Sequence, residues 1–262
     1  MKYRLDQLLS RKHLTPSREK ARGHILAGNV LVNDEVITKV GYLVDENVSL
    51  RLKVNERYVS RGGLKLEKAL KTFSIDVKDQ IVLDVGASTG GFTDCLLQHD
   101  VQWVYSVDVG YNQLDYRLRN HQQVTVMEKL NAKNLHPDLF DKPINLAVID
   151  VSFISLTKVL SFVLSVLKDR EIIALIKPQF EVGEQITGFK GVVKKAEDHL
   201  KALHLVNDYA LSTGLFTQSL TYSPIKGPKG NREFLIHWSD RKSKEVIDFK
   251  AVIDQAHQEL RD

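Results

Sequence analysis

Between residues 81 and 238, short continuous apolar runs alternate with segments of helical periodicity, and this alternation limits the fold more than any other feature. The predicted strands are Ile81–Val85, Trp103–Asp108, Val124–Met127, Ile144–Ile149, Glu171–Ile176, Leu215–Tyr222 and Arg232–Trp238. The predicted helices begin near Phe92 or span Leu156–Leu167 and Glu197–Ser212. Strands separated by helices predict an α/β fold with a doubly wound parallel sheet, to which the last strand is added at an edge.

The chain has 262 residues, of which 43% are hydrophobic. Since a domain usually has roughly 100–200 residues, we expect a small N-terminal domain at 1–59 and an α/β domain at 60–262. In the small domain we predict a helix near Tyr3–Lys12 and a second helix that ends at Gly28. Thr15 would cap this second helix, and Pro16 would be its first residue. A hairpin (Val30–Val32 and Val36–Ile37) and a strand (Val48–Lys53) complete the predicted elements.

Cysteine usage and hydropathy exclude several classes of protein. Cys95 is the single cysteine, which excludes a disulfide framework and predicts a reducing, cytoplasmic setting. The N-terminus has no apolar signal core, and the most apolar stretch, 144–167, is interrupted by Asp150 and Lys158. We therefore expect no membrane span and no membrane partner. The nine histidines do not show metal-ligand spacing, so no metal is expected.

The net charge of +4 is concentrated in the first quarter of the chain. Residues 1–60 contain 11 Lys and Arg against 7 Asp and Glu, whereas the remaining residues contain 26 of each class. A small basic domain beside a neutral one indicates either a module that binds a polyanion or ordinary scatter in surface charge.

The motifs of the small domain favour the first of these interpretations. The segments Arg4–Leu9, Ser17–Ala21 and Ile25–Asn33 resemble the S4-type RNA-binding domain, which is also found in a ribosomal protein, pseudouridine synthases and tyrosyl-tRNA synthetases. The resemblance implies that a positive surface on two helices recognises structured RNA, with no DNA partner expected. The candidate RNA-binding residues are Arg4, Arg11, Lys12, Arg18, Lys20 and Arg22.

A glycine-rich turn follows the first strand of the larger domain and suggests a cofactor site. Its candidate residues are Gly86, Ala87, Ser88, Gly90, Gly91 and Phe92. The dinucleotide pattern fails because its second glycine would fall at Ser88, and no Gly-Lys-Ser/Thr follows for a P-loop. Asp84, just before the turn, would repel a pyrophosphate but suits the cationic amino group of S-adenosylmethionine.

Three further polar residues belong to this predicted cofactor site. Asp108 ends the next strand, where a carboxylate accepts hydrogen bonds from a ribose diol. Glu128 and Asn131 follow the third strand and are candidates to face the adenosine. The alternative for Asp108 is a solvated residue at a strand end.

Four more polar residues stand where a doubly wound sheet opens towards its ligand. Lys65 lies on the helix that enters the domain, Asp150 and Lys177 end two strands, and Glu233 begins the last strand. Any one of them alone could equally be a charged residue that contacts only solvent. Taken together, they form a Lys-Asp-Lys-Glu set.

These positions lie in motifs that resemble the FtsJ-like RNA ribose 2′-O-methyltransferases. The supporting stretches are Val59–Leu66, Asp84–Asp94, Asp150–Leu156 and Lys177–Glu181, and with the N-terminal domain the whole chain resembles the haemolysin A (TlyA) family of rRNA methyltransferases. The family implies methylation of a cytidine ribose in ribosomal RNA or a ribosomal subunit, with the set Lys65, Asp150, Lys177 and Glu233 as its catalytic tetrad.

The chemistry of the tetrad fits this expectation. A ribose hydroxyl needs a base before it can attack a methyl group, and a free lysine is mostly protonated at neutral pH. Burial and the positive charge of Lys65 would favour the neutral amine of Lys177, whereas Asp150 and Glu233 would oppose this effect and orient both amines. We assign Lys177 as the base. Lys65 and Glu233 would position the hydroxyl, and Asp150 would steady Lys177. The basic loop 223–232 either touches phosphates or is merely solvated.

Two other classes of protein stay open at this point. One is a membrane-active haemolysin, as the family name suggests, and the other is an RNA-binding adaptor without catalytic activity.

Overall fold

A computed structural model describes residues 2–15, 17–52, 57–227, 229–243 and 246–260. The chain divides into two compact units, Met1–Arg57 and Tyr58–Asp262. Among the described residues, no helix combines the length and the apolar character needed to cross a membrane.

The first unit packs two helices against short strands. Its elements are β1 (Lys2–Arg4), α1 (Leu5–Arg11), α2 (Arg18–Leu26), β2 (Val30–Val32), β3 (Glu35–Val36), β4 (Leu43–Asp45) and β5 (Leu50–Leu52). β1 pairs with β4, while β2 pairs with both β3 and β5, all antiparallel. Leu5, Leu8 and Leu9 of α1 are fully buried against Ala21 and Ile25 of α2, because their spacing places them on one helical face.

The predicted hairpin is confirmed, whereas the predicted start of α2 is wrong. Asn33 and Asp34 both have positive φ angles, as a two-residue turn between twisted strands requires. Ser17, and not Thr15, caps α2, since its side chain accepts a hydrogen bond from the backbone amide of Lys20 at 3.2 Å. Pro16 lies outside the described residues. The first predicted helix begins later than expected, because Tyr3 and Arg4 belong to β1, which pairs with β4.

The second unit contains a seven-stranded sheet. Its strands are β6 (Ile81–Val85), β7 (Trp103–Asp108), β8 (Val124–Glu128), β9 (Ile144–Ile149), β10 (Leu167–Ile176), β11 (Phe216–Tyr222) and β12 (Phe234–Ser239). Their order across the sheet is β11-β12-β10-β9-β6-β7-β8, in which the strands from β6 to β10 are parallel and β12 runs antiparallel to both its neighbours.

Helices cover both faces of this sheet. They are α3 (Gly62–Phe73), α4 (Gly91–Leu97), α5 (Tyr116–Arg119), α6 (Leu160–Leu164), α7 (Pro178–Glu181), α8 (Ala196–Ser212) and α9 (Phe249–Glu259). Side chains of α3 and α4 bury one face, and those of α6, α8 and α9 bury the other. The doubly wound α/β fold is therefore confirmed, and Cys95 lies in the core on α4.

Two predictions for the second unit need correction. β12 is an inner strand, and β11 forms the edge. All six residues of β12 are buried, as expected for a strand covered on both faces. The predicted helix 156–167 shrinks to α6, because Leu167 already pairs with Ile144 as the start of β10.

Candidate active site

The register of the sheet brings one end of each of four strands together, at the side of the sheet where the parallel strands finish. Val85 of β6 pairs with Ile149 of β9, and Ile176 of β10 pairs with Phe234 of β12. The next residue after Ile149 is Asp150, whose backbone amide donates to the carbonyl of Val85 at 2.9 Å. Lys177 follows Ile176, and Glu233 precedes Phe234 on the antiparallel strand. The topology thus places these polar residues along the edge where open α/β sheets bind ligands.

The four predicted catalytic residues form two ion pairs. Lys177 Nζ lies 2.6 Å from Asp150 Oδ1, and Lys65 Nζ on α3 donates to Glu233 Oε2 at 2.6 Å. The side chains of Lys65 and Glu233 are only 9% and 1% exposed. Such buried charges are costly unless each has a partner, so the pairing fixes where each amine can point.

A cavity of about 550 Å³ is lined by one member of each pair, Lys177 and Glu233. Phe153 and Phe180 also line it, with ring centroids 5.0 Å apart and ring planes tilted by 46°. Phe153 is 90% exposed and has a φ of 63°, an unusual conformation for a bulky residue. The cavity therefore combines an aromatic surface with a lysine that belongs to an ion pair.

The loop before β12 contributes one exposed cation to this cavity, Lys229. Arg232 is buried instead, and its guanidinium donates to the carbonyl of Leu260 at 2.7 Å. Arg232 of loop 223–232 thus helps to hold the fold together, whereas Lys229 places a positive charge at the cavity.

The glycine turn between β6 and α4 needs glycine for steric reasons. Gly86 has a φ of 86°, and a Cβ there would lie 2.6 Å from the carbonyl oxygen of Asp150. Gly90 has a φ of 97°, and a Cβ would lie 2.2 Å from the side chain of Leu118. The turn can therefore pass close to Asp150 and Leu118 only because Gly86 and Gly90 have no side chains.

A second cavity, of about 470 Å³, lies beside this turn at the ends of β6, β7 and β9. Its polar lining includes Asp108, Asn131 and Asp150, and the turn contributes Gly86 and Ser88. Asp108 accepts hydrogen bonds from the backbone amides of Ser88 at 2.8 Å and Gly110 at 2.7 Å, so its carboxylate has a fixed orientation. Ser152 and Phe153 line both cavities.

Other residues of the turn serve packing. Phe92 is buried among the residues of α3 and α4, and Ala87 packs against Leu114 and Leu118. Gly91 is buried, and a Cβ there would lie 2.3 Å from Ser60 Oγ. Phe92, Ala87 and Gly91 therefore pack the turn against the rest of the protein.

Asp84 lies beneath the turn, fully buried, rather than in the cavity lining. Thr93 Oγ1 donates to Asp84 Oδ2 at 2.6 Å and is itself 2.8 Å from Ser106 Oγ, so the carboxyl group ties α4 to the sheet. Within the described part of the chain, Oδ1 has no hydrogen-bond partner. Burial raises the pKa of Asp84 to about 7, with smaller contributions from the charges of Asp150 and Asp108.

Glu128 is also held by the chain itself. Its carboxylate accepts the backbone amides of Asn112 at 2.7 Å and Gln113 at 2.9 Å, and Arg119 donates at 2.5 Å. Burial alone would raise the pKa of Glu128, but these donors outweigh it and hold the pKa at about 2. Gln113, rather than Glu128, lines the second cavity. Glu128 thus fixes the loop that follows β7.

Known protein families match both units of the chain. The family model described as FtsJ-like methyltransferase matches residues 58–239, and the S4 domain model matches residues 4–50. The chain belongs to the FtsJ-like methyltransferase family. It is therefore an enzyme with an S4 domain at its N-terminus.

Three similar proteins span nearly the whole of this FtsJ-like chain. A provisionally named rRNA methyltransferase YqxC from Bacillus subtilis is 43% identical and covers 100% of this chain and 96% of its own. The 16S/23S rRNA (cytidine-2′-O)-methyltransferase TlyA from Mycobacterium tuberculosis is 36% identical over 98% of this chain and 97% of its own length. A solved structure from Streptococcus thermophilus, provisionally named a hemolysin, is 42% identical, covers 98% and 96%, and has a TM-score of 0.76.

In the S4 domain, all six predicted RNA-binding residues are exposed. Two of them share a buried partner, since Arg4 and Arg18 donate to the carboxylate of Asp6 at 3.0 and 2.9 Å. Burial favours a higher pKa for Asp6, but hydrogen bonds from Arg4 and Arg18 outweigh it and lower the pKa. The Arg11 guanidinium lies 4.9 Å from the centre of the Tyr3 ring. Asp6 therefore holds two cations on one surface.

Two residues near the FtsJ-like site were not predicted from the sequence. Ser152 Oγ accepts a hydrogen bond from Lys177 Nζ at 2.7 Å. Glu181 on α7 accepts from Ser155 Oγ at 2.5 Å and from the amide of Leu156 at 3.0 Å, and so anchors the segment after Asp150. The only signal for either in the sequence is its nearness to Asp150 or Lys177.

Proposed function

We propose that this chain transfers a methyl group from S-adenosylmethionine to the 2′-hydroxyl of a cytidine ribose in ribosomal RNA. One observation carries the proposal: two lysine–carboxylate pairs end at a cavity beside a second, carboxylate-lined cavity. Two relatives support the same substrate, since one is named an rRNA methyltransferase and the other a 16S/23S rRNA (cytidine-2′-O)-methyltransferase.

The second cavity fits the proposed cofactor in shape and charge. Gly86 and Ser88 line it, and the absence of a Cβ at Gly86 lets the turn pass close to the Asp150 carbonyl at the wall of the cavity. Asp108 would bind the ribose diol of the cofactor, and Asn131 would lie near its adenosine. Asp108 and Asp150 line this cavity, and their carboxylates favour a cation. When bound, S-adenosylmethionine supplies an electrophilic methyl group on a sulfonium.

Lys177 is the proposed base. Its Nζ would take the proton of the 2′-hydroxyl, which makes the ribose oxygen a competent nucleophile. Asp150 holds the amine from one side, while the Lys65–Glu233 pair would orient the hydroxyl. Because methyl transfer is a displacement, most of the catalytic effect comes from placing the reacting groups in line.

The remaining features supply binding of the RNA. Phe153 and Phe180 offer an aromatic face at the mouth of the cavity, and aromatic rings stack on unpaired bases with little regard to sequence. We assign residues 1–59 to RNA binding through the surface around Arg18, and residues 60–262 to catalysis. The pairing of Arg4 and Arg18 with Asp6 leaves both cations exposed for phosphate contacts.

The two alternatives are less favoured. A membrane-active haemolysin needs no lysine–carboxylate pairs at the end of a methyltransferase sheet. A non-catalytic adaptor needs no base, whereas Lys65, Asp150, Lys177 and Glu233 are all present and paired.

The direct test is to map ribose methylation on ribosomal RNA incubated with the full chain and methyl-labelled S-adenosylmethionine. The expected result is label on the 2′-oxygen of a cytidine, and none when the cofactor is left out. Label on a base, or no transfer to either ribosomal RNA, would overturn the proposal.

A further inference from the structure

Ser152 is not one of the four residues of the tetrad. It lies two residues after Asp150, on the segment that leaves β9, and it lines both cavities. Its side chain is exposed to these cavities, and its Oγ accepts a hydrogen bond from Lys177 Nζ at 2.7 Å. The serine thus contacts the proposed base at the boundary between the two cavities.

The hydrogens of the Lys177 amine show why a hydrogen-bond acceptor beside Asp150 matters. A neutral amine has two N–H groups and one lone pair in a tetrahedral arrangement. Ser152 Oγ accepts one of these N–H groups at 2.7 Å, whereas Asp150 Oδ1 lies 2.6 Å from Nζ as an ion-pair contact without hydrogen-bond geometry. The directional bond to Ser152 therefore restricts rotation about the Cε–Nζ bond. With Asp150 alone, the amine could rotate about this bond and direct its lone pair away from the ribose hydroxyl.

The backbone around Ser152 is fixed independently of its hydroxyl. Glu181 binds Ser155 and Leu156 on the C-terminal side, and the Asp150 amide is bound to the Val85 carbonyl on the other. Replacement of the hydroxyl should therefore leave the segment in place.

We propose that Ser152 is a positioning residue that, with Asp150, orients the amine of Lys177 so that its lone pair faces the ribose hydroxyl. The inference rests on the proposed function of Lys177 as the base. During the reaction the hydroxyl proton passes to Lys177 Nζ, the new O–C bond forms as the S–C bond breaks, and Ser152 keeps its own proton throughout.

The test compares Ser152→Ala, Ser152→Thr and the wild-type chain in methylation of ribosomal RNA. Loss of one neutral hydrogen bond should lower kcat of Ser152→Ala by about tenfold. KM for RNA and for S-adenosylmethionine should stay unchanged, because the serine acts through Lys177. Ser152→Thr keeps a hydroxyl at an exposed position in the cavity lining and should recover most of the rate. Ser161→Ala, an exposed serine on α6, is the matched control.

Three results would overturn the role of Ser152: a kcat of Ser152→Ala equal to wild type, a loss that falls wholly on KM for S-adenosylmethionine, or no recovery in Ser152→Thr. Failure of the wild-type chain to methylate any ribose would instead refute the proposed function, so the two failures are distinguishable.

Discussion

Glu128 and Asp84 are both acidic residues on strands of the same sheet, yet their pKa values shift in opposite directions. Glu128 accepts hydrogen bonds from backbone amides and Arg119, which stabilise its charged form and hold its pKa at about 2. Asp84 is fully buried, and the hydrogen bonds from Thr93 do not offset the effect of burial, so its pKa rises to about 7. The balance between burial and hydrogen-bond donors decides which form of each carboxyl group is favoured.

Glu128→Gln should loosen the loop that carries Asn112, Gln113 and Leu114. Glu128 stabilises the fold above its ordinary pKa of 4.5, and this contribution is lost as the pH falls towards about 2. At pH 7 the variant should lose roughly 1–3 kcal/mol in the free energy of unfolding. The difference from wild type should shrink as the pH approaches 3.

Denaturant unfolding at several pH values would measure this loss, and hydrogen exchange at residues 112–114 would locate it. The exposed Glu197→Gln is the control. Unchanged exchange at these amides would show that Glu128 does not hold the loop.

At the scale of elements, the buried parallel strands were the easiest to predict. β6, β7 and β9 have the predicted bounds, because a strand covered on both faces is a continuous apolar run. β1 and β4 have three residues each, too few to show a period. The inner position of β12 depends on its pairing with both β10 and β11, and no local pattern encodes it.

The candidate site, like the fold, could be predicted only where a local sequence pattern marks it. Asp150, Lys177 and Glu233 stand out because each interrupts an apolar run at a strand end, where the fold predicts a ligand. Ser152 and Glu181 could not be predicted in this way, since their roles depend on contacts between segments about 25 residues apart.

At the scale of the whole molecule, the sequence concentrates its excess positive charge in residues 1–60, and the structure exposes all six predicted RNA-binding cations there. A surface of this kind binds a polyanion by displacing counterions, so affinity should fall as salt rises. The larger unit, which carries the paired lysines, has no net charge to add to this attraction.

The double variant Lys20→Ala with Arg22→Ala should weaken binding of ribosomal RNA and flatten its salt dependence. Each lost phosphate contact should reduce the slope of log affinity against log salt by about 0.7–0.9. Filter binding of the full chain at several salt concentrations measures this slope. Lys168→Ala with Lys250→Ala removes two exposed lysines of the larger unit as a control. A slope equal to wild type would mean that Lys20 and Arg22 are merely solvated.

The most direct test of the central claim is the single-turnover rate of ribose methylation by Lys177→Arg. Arginine keeps the positive charge beside Asp150 but stays protonated near neutral pH, so it cannot accept the proton of the hydroxyl. The rate should fall by roughly 10²–10⁴, the range for a lost general base, while RNA and S-adenosylmethionine still bind. A Lys177→Arg enzyme that methylates at the wild-type rate would contradict the assignment of Lys177 as the base.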